Sequence, residues 1–144
     1  MKSQRFTMKF FIFFIFLLTQ HCQSTWTNQV VFIESGICLG NCPVYSLKME
    51  SNGRFVLTHL INKTTKQGKL SRKDKDELDE ILSLIDFSNA KKQYGNPLIR
   101  DLPKISISYG NVLINLTGRQ SAPEPIQKLI KWADDFHNKK LKSF

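Results

Sequence analysis

The stretch ISISYGNVLINL, residues 105–116, alternates apolar residues with serines before Gly110 and Asn111, and carries Val112, Ile114 and Leu116 at alternate positions after them. Strict alternation is the period of a β-strand with one buried face. Gly110 and Asn111 suit a two-residue hairpin loop, because both residue types tolerate positive φ. The pairs that this loop predicts are Tyr109 with Val112, Ile107 with Ile114, and Ile105 with Leu116. The stretch therefore predicts an antiparallel hairpin with one apolar face.

An earlier hairpin is predicted around Asn52-Gly53, which follows the alternating segment Tyr45–Glu50. With these two residues as the loop, the predicted pairs are Met49 with Val56, Leu47 with Thr58, and Tyr45 with Leu60. This register places Phe55, Leu57 and His59 on the opposite face. Large apolar side chains there are unexpected, and two interpretations remain open. Other parts of the chain cover them, or they form a binding face for a partner.

The remaining elements are predicted from composition and helical spacing. Gln29–Glu34 is rich in β-branched residues and predicts a first strand, whereas Lys63–Leu70 is either a weak edge strand or a loop. Ser71 suits a cap for a helix from about Arg72 to Asp86, which carries an apolar stripe. Phe87–Pro97 is expected to be an irregular connector.

A second helix is predicted after Pro123 and Pro125, which suit its first turn, with a basic and frayed tail from Asn138 to Phe144. Its apolar stripe is Ile126, Leu129, Ile130, Ala133 and Phe136. The predicted fold class is therefore α+β, an antiparallel sheet of four to six strands built from two hairpins, with two helices packed on one face.

The N-terminus has the layout of a secretory signal peptide. Lys2, Arg5 and Lys9 precede an apolar run from Phe10 to Leu18, which is shorter than the about 20 residues of a spanning helix. Small residues at Cys22 and Ser24 favour cleavage before Thr25. We therefore expect a signal peptide over residues 1–24, a single exported domain over 25–144, and no transmembrane span after cleavage.

Lipidation at Cys22 remains a minority interpretation, because His21 stands where a lipoprotein box normally carries a small residue. After cleavage, Cys38 and Cys42 remain, and an even pair in an exported protein indicates one disulfide. A redox-active pair is the alternative, although three residues lie between these cysteines and a strand follows them. A metal site is not predicted, because His59 and His137 are the only histidines left to join the two thiolates.

Composition limits the function classes further. The chain has 144 residues, with 41% hydrophobic and 23% charged residues, which excludes wholesale disorder and a multi-span membrane protein. The net charge is +9, and the basic residues outside the N-terminus include two clusters: Lys63, Lys66, Lys69, Lys139, Lys140 and Lys142. A solvated surface is the simplest explanation, and anionic envelope polymers or membrane surfaces are alternative partners. Nucleic acid is not expected as a partner of an exported domain.

The cysteine segment also carries a family resemblance. Its motif C-x-G-x-C-P-x-Y is formed by Cys38, Gly40, Cys42, Pro43 and Tyr45. Further matching positions are Glu34, Gly53, Ile85-Asp86-Phe87, Tyr94 and Asp101-Leu102-Pro103. Over about Gln29 to Phe136, the chain resembles the bacterial exported domain-of-unknown-function family numbered six-four-three-eight. It departs from the family after Phe55, where the segment is shorter and lacks the usual aromatic residue. The resemblance implies an exported bacterial protein and no particular activity.

The leading hypothesis is a non-catalytic binding or structural module of the bacterial cell envelope with one structural disulfide. The chain has no complete catalytic motif, and no cofactor is predicted. A thiol-disulfide oxidoreductase using Cys38 and Cys42, or an inhibitor or receptor of another secreted protein, is the alternative. The expected partner is an unknown protein or an anionic envelope polymer.

Overall fold

The structure is a computed structural model that describes residues 29–141. The predicted signal peptide and its cleavage site lie outside these residues. Seven strands and two helices follow in chain order: β1 Val30–Ser35, β2 Tyr45–Glu50, β3 Arg54–His59, β4 Thr64–Lys69, α1 Arg72–Ser83, β5 Gln93–Tyr94, β6 Lys104–Tyr109, β7 Val112–Thr117 and α2 Glu124–Leu141. A short 3-10 turn, Arg119–Ser121, joins β7 to α2.

All seven strands form one sheet in the order β4-β3-β2-β1-β6-β7-β5. Every neighbouring pair is antiparallel except β5 with β7, which is parallel. The α+β class is confirmed, but the expected number of four to six strands is wrong. Lys63–Leu70 contains an edge strand, β4, and the seventh strand, β5, lies in the predicted connector. Two residues are too few to show a strand period in the sequence.

The hairpin of β6 and β7 has the predicted register. Tyr109 pairs with Val112, and the two further predicted pairs, Ile107 with Ile114 and Ile105 with Leu116, are also present. Gly110 has a φ of 58°, as a two-residue loop of this kind requires. Local turn chemistry and alternation therefore agree in this hairpin.

The predicted register of the β2–β3 hairpin is wrong by one residue. Met49 pairs with Phe55, and the next inward-facing pairs are Leu47 with Leu57 and Tyr45 with His59. The loop has three residues, because Ser51 joins Asn52 and Gly53, and Gly53 takes a φ of 84°. The Gly53 N–H donates to the Glu50 carbonyl at 2.8 Å. One added loop residue moves every β3 side chain to the other face of the sheet.

This shift buries the residues that were predicted to face outwards. Phe55 and Leu57 are 5% and 4% exposed, and Val56 takes the outer position with 38% of its surface exposed. The expectation that Phe55 and Leu57 lie on an accessible binding face is therefore wrong. The first of the two open interpretations holds for them, because helix α2 of the same chain packs against them.

The hydrophobic core lies between the two helices and the face of the sheet that they share. Leu78 and Leu82 of α1 are buried, and so is the whole predicted stripe of α2: Ile126, Leu129, Ile130, Ala133 and Phe136. Burial of these two stripes is the main stabilising contribution to the fold. Within residues 29–141, the helices are too short or too polar to cross a lipid bilayer.

The C-terminal ends of both helices differ from the sequence prediction. Helix α1 ends at Ser83, because Leu84 and Ile85 donate to carbonyls three residues back and tighten the last turn. Helix α2 continues to Leu141, through part of the tail that was expected to fray. Tertiary contacts explain its extension. The Lys66 ammonium donates to the Lys140 carbonyl at 2.7 Å, and Lys139 lies 3.0 Å from the Asp74 carboxylate.

Candidate functional site

The cysteine loop, residues 36–44, connects β1 to β2 at one end of the sheet. Cys38 and Cys42 lie at disulfide distance, with their Cα atoms 6.2 Å apart. Gly40 has a φ of 135°, a conformation that favours glycine. The structure thus places the predicted cysteine pair as the sequence analysis expected, and the glycine of the motif lets the chain turn between them.

Arg119 joins this loop to helix α2. Its Nη2 donates to the Ser35 hydroxyl at 3.0 Å, and its Nε donates to the Asp134 carboxylate at 2.6 Å. The Ser35 hydroxyl in turn donates to the Pro43 carbonyl at 2.8 Å. A planar guanidinium can serve several acceptors in fixed directions, which makes arginine well suited to this position.

Tyr45, the last residue of the cysteine motif, completes the arrangement. Its side chain is fully buried, and its hydroxyl donates to the Asp134 carboxylate at 2.9 Å. Burial raises the pKa of this phenol well above its ordinary value of 10.0, and the negative charge of Asp134 raises it further. Tyr45 therefore stays protonated at neutral pH and acts as a hydrogen-bond donor.

We name Ser35, Pro43, Tyr45, Arg119 and Asp134 the signature network. Arg119 and Asp134 do not stand out in the sequence, because they lie 84 and 89 residues from the partners that they contact, Ser35 and Tyr45. One signal was present in the sequence. Asp134 follows Ile130 by four positions, so this acid lies in line with the apolar stripe of α2. An acid in such a position needs a partner in the core.

Two histidines stack beside the network. The His137 ring lies between Tyr45 and His59, at centroid distances of 4.7 Å and 5.5 Å. His137 is 2% exposed, and its Nε2 has no hydrogen-bond partner among the described residues. Burial lowers the pKa of His137 below its ordinary value of 6.5, and the nearby His59 ring lowers it further. His137 is therefore neutral at pH 7.

His59, the third residue of the predicted binding face, is half-buried against His137. Its Nδ1 accepts a hydrogen bond from the Asn62 N–H at 3.4 Å. Within residues 29–141, no group of three or more histidine, cysteine or acidic side chains could share a metal ion. The structure thus places His59 in a stack on the core side of the sheet.

A different set of exposed side chains surrounds the cysteine loop. Large aliphatic residues of this loop and of the loop at residues 95–103 are strongly exposed: Ile37 75%, Leu39 78%, Leu98 83%, Ile99 42% and Leu102 40%. The Leu39 N–H donates to the Asp101 carbonyl at 3.3 Å, and the Gly36 N–H donates to the Lys104 carbonyl at 2.8 Å. These bonds hold both loops at the same end of the sheet. We name the five residues the apolar loop surface.

Polar contacts fix the second of these loops. The Lys104 ammonium donates to the Pro97 and Ile99 carbonyls at 2.7 Å and 2.8 Å. This surface is not predicted from the sequence, because the segment shows no strand or helix period. Apolar residues in an irregular, proline-containing segment were the available signal.

The sheet has seven strands and carries two helices on one face, and an Arg119–Asp134 ion pair ties the cysteine loop to the last helix. These features define a small α+β module. The chain belongs to the family described as domain of unknown function DUF6438, whose model matches residues 29–137. This match confirms the resemblance found in the sequence, and it includes the whole signature network. No curated protein matches the chain.

Proposed function

We propose that the chain is a non-catalytic binding or structural module of the bacterial cell envelope, in which the bond between Cys38 and Cys42 is structural. One observation carries the proposal: Arg119 contacts Ser35, the Pro43 carbonyl and Asp134 at the same time. The guanidinium donors of Arg119 are thus used to hold the cysteine loop onto the fold. A site built for catalysis would keep a nucleophile, a base or an anion-binding donor free for substrate.

Redox catalysis has less support from the surroundings of the cysteines. In the thioredoxin kind of motif, a helix N-terminus stabilises the attacking thiolate. Here Pro43 and strand β2 follow Cys42. Arg119, the cation that approaches the loop, is paired with Asp134 at 2.6 Å. Its charge is therefore largely neutralised at this position.

A redox titration of the purified protein tests the structural role. We expect a reduction potential below about −300 mV, as for disulfides that are not exchanged in function. We also expect that neither thiol of the reduced protein attacks a model disulfide rapidly at neutral pH. A potential near the thioredoxin value of about −270 mV, with one fast-reacting cysteine, would instead indicate an oxidoreductase.

The double variant Cys38→Ala/Cys42→Ala is the matching stability test. Closure of such a short loop contributes about 2 kcal/mol in the chain-entropy model, so the free energy of unfolding should fall by about that amount. The variant should keep a folded near-UV spectrum, because the signature network remains.

Export is a separate part of the proposal, supported by the apolar run Phe10–Leu18 and by the even cysteine pair. Intact-mass measurement of the protein from its host tests it. We expect a mature N-terminus at Thr25. A mass that includes lipid on Cys22, together with membrane fractionation that Cys22→Ala abolishes, would show a lipoprotein.

A further inference from the structure

We propose, building on the binding role above, that the apolar loop surface inserts into the surface of an anionic phospholipid bilayer. Ile37, Leu39 and Leu98 keep three quarters or more of their surface exposed to water. Exposed apolar patches mark sites of interaction with proteins or membranes more often than isolated apolar residues do. Their removal from water into the acyl boundary of a bilayer is favourable.

The shape of this surface favours a bilayer over a small ligand. One cavity, with a volume of about 450 Å³, is lined by residues of β2, β3 and β4, including Lys48, Val56 and Gln67. The apolar loop surface instead consists of side chains that project from two loops. Projecting aliphatic side chains can enter a bilayer without any pocket in the protein.

Charges beside the surface are complementary to anionic headgroups. Arg100 directly follows Ile99, is exposed, and makes no ion pair or hydrogen bond through its side chain among residues 29–141. Lys91 and Lys92 are also exposed on the segment that leads to this loop. Asp101 is the single acid between positions 87 and 104. Arginine and lysine near anionic lipid are attracted to it, and salt screens that attraction.

The surface lies at the end of the sheet where β1 ends and β6 begins. The chain enters the sheet at Val30, and the neighbouring Val31 pairs with Tyr109, beside the loop of the β6–β7 hairpin. Ser35, at the other end of β1, pairs with Ile105 and leads into the cysteine loop. The apolar loop surface therefore lies at the end of the sheet opposite to the entry of the chain.

Sedimentation of the mature protein with lipid vesicles tests the proposal. One vesicle type contains phosphatidylethanolamine with phosphatidylglycerol, and the other contains phosphatidylcholine alone. We expect binding to the anionic vesicles, weaker binding to the neutral ones, and a further decrease as salt is raised. The variants Ile37→Ser/Leu39→Ser and Leu98→Ser/Ile99→Ser should each lower the binding constant at least about tenfold.

Val56→Ser/Leu113→Ser is the matched control, because both residues are exposed, at 38% and 51%, on the outer face of the sheet. This variant should bind the vesicles as the unmodified protein does. Arg100→Glu tests the charge contribution without touching an apolar residue, and it should reduce the preference for anionic vesicles several-fold, while Lys91 and Lys92 keep part of it. Melting temperatures within a few degrees of the unmodified protein would show that all variants are folded.

Three results would overturn the proposal. The first is that the unmodified protein does not sediment with anionic vesicles. The second is that the loop variants and the control variant bind these vesicles equally well. The third is that the unmodified protein forms a dimer in solution and that Leu39→Ser dissociates this dimer. The last result would assign the surface to a second copy of the chain. None of them changes the redox titration, so the proposed non-catalytic role would be judged separately.

Discussion

The Tyr45 hydroxyl donates a 2.9 Å hydrogen bond to the Asp134 carboxylate, which links the cysteine motif to the last helix across 89 residues of chain. Asp134 also accepts from Arg119, so a single carboxylate compensates a buried phenol and a half-buried guanidinium. This hydrogen bond explains in structural terms why the cysteine motif ends in a tyrosine. A phenylalanine there would leave Asp134 with one fewer donor.

Asp134→Ala should lower the free energy of unfolding by about 2–4 kcal/mol, because it leaves the Tyr45 hydroxyl and the Arg119 charge without their partner. Urea denaturation measures this loss. Asp135→Ala is the matched control, since its carboxylate pairs with Lys131 where both side chains are largely exposed. The control should change stability by less than about 0.5 kcal/mol. Equal losses for the two variants would contradict the network's structural role.

Phe55→Ala should cost about 3–5 kcal/mol, as for other large aromatic residues removed from a core. Phe55 is 5% exposed and lies edge-on to Phe136, at a centroid distance of 5.0 Å. The neighbouring Val56→Ala should cost less than about 1 kcal/mol, because Val56 faces solvent. Thermal or urea unfolding measures the loss of stability in each variant, and the larger loss shows which of the two side chains faces the core in the β2–β3 hairpin. A larger loss for Val56→Ala than for Phe55→Ala would support the register that the sequence predicts.

Stability should fall as the pH drops below about 6.5, the ordinary pKa of histidine. The pKa of His137 is lowered in the folded state by burial and then by His59, so the unfolded chain binds the proton more readily. The contribution of neutral His137 to stability is therefore fully present above about pH 6.5 and is lost as the pH falls towards the pKa of His137 in the folded protein. The Asn138 hydrogen bond and the Asp134 charge oppose the shift, and Lys66 and Lys140 line the same small cavity.

His137→Phe keeps an aromatic ring against Tyr45 and removes the titrating group. Urea denaturation at several values between about pH 7 and pH 5 should show a flatter pH dependence for this variant. His59→Phe is the control and should keep most of the dependence, because burial is the larger cause of the shift. An unchanged slope in His137→Phe would assign the effect to other groups.

Gly95→Ala should destabilise the protein more than Gly110→Ala. Both glycines have positive φ, at 75° and 58°, so each alanine meets a backbone cost of about 1–2 kcal/mol. At Gly95 the added β-carbon would also collide with the Thr117 carbonyl oxygen, whereas at Gly110 it would meet only the Gln29 side chain. Comparison of the two unfolding free energies isolates the cost of that collision. Equal losses of unfolding free energy in the two variants would show that the backbone near Gly95 and Thr117 shifts to accept the added β-carbon at little cost.

The two hairpins show why sequence patterns predict one register and miss another. For β6–β7, the strict alternation of β6 up to Tyr109 leaves Gly110 and Asn111 for the loop, so turn chemistry and burial agree although Val112, Leu113 and Ile114 are consecutive apolar residues. For β2–β3, Asn52-Gly53 suits a two-residue loop, but Gly53 also suits the last position of a three-residue loop that begins at Ser51. Arg54–His59 has apolar residues at consecutive positions, so its own pattern does not decide between these loops.

The sequence by itself determined the α+β class, both helices with their buried stripes, the β6–β7 register and the position of the cysteine pair. These features depend on neighbours within a few residues, where spacing and turn propensity act directly. Tertiary structure alone decided the β2–β3 register, the parallel strand β5 and the signature network. Each requires contacts between distant segments, because the burial of Phe55 and the pairing of Asp134 depend on which surfaces the complete fold brings together.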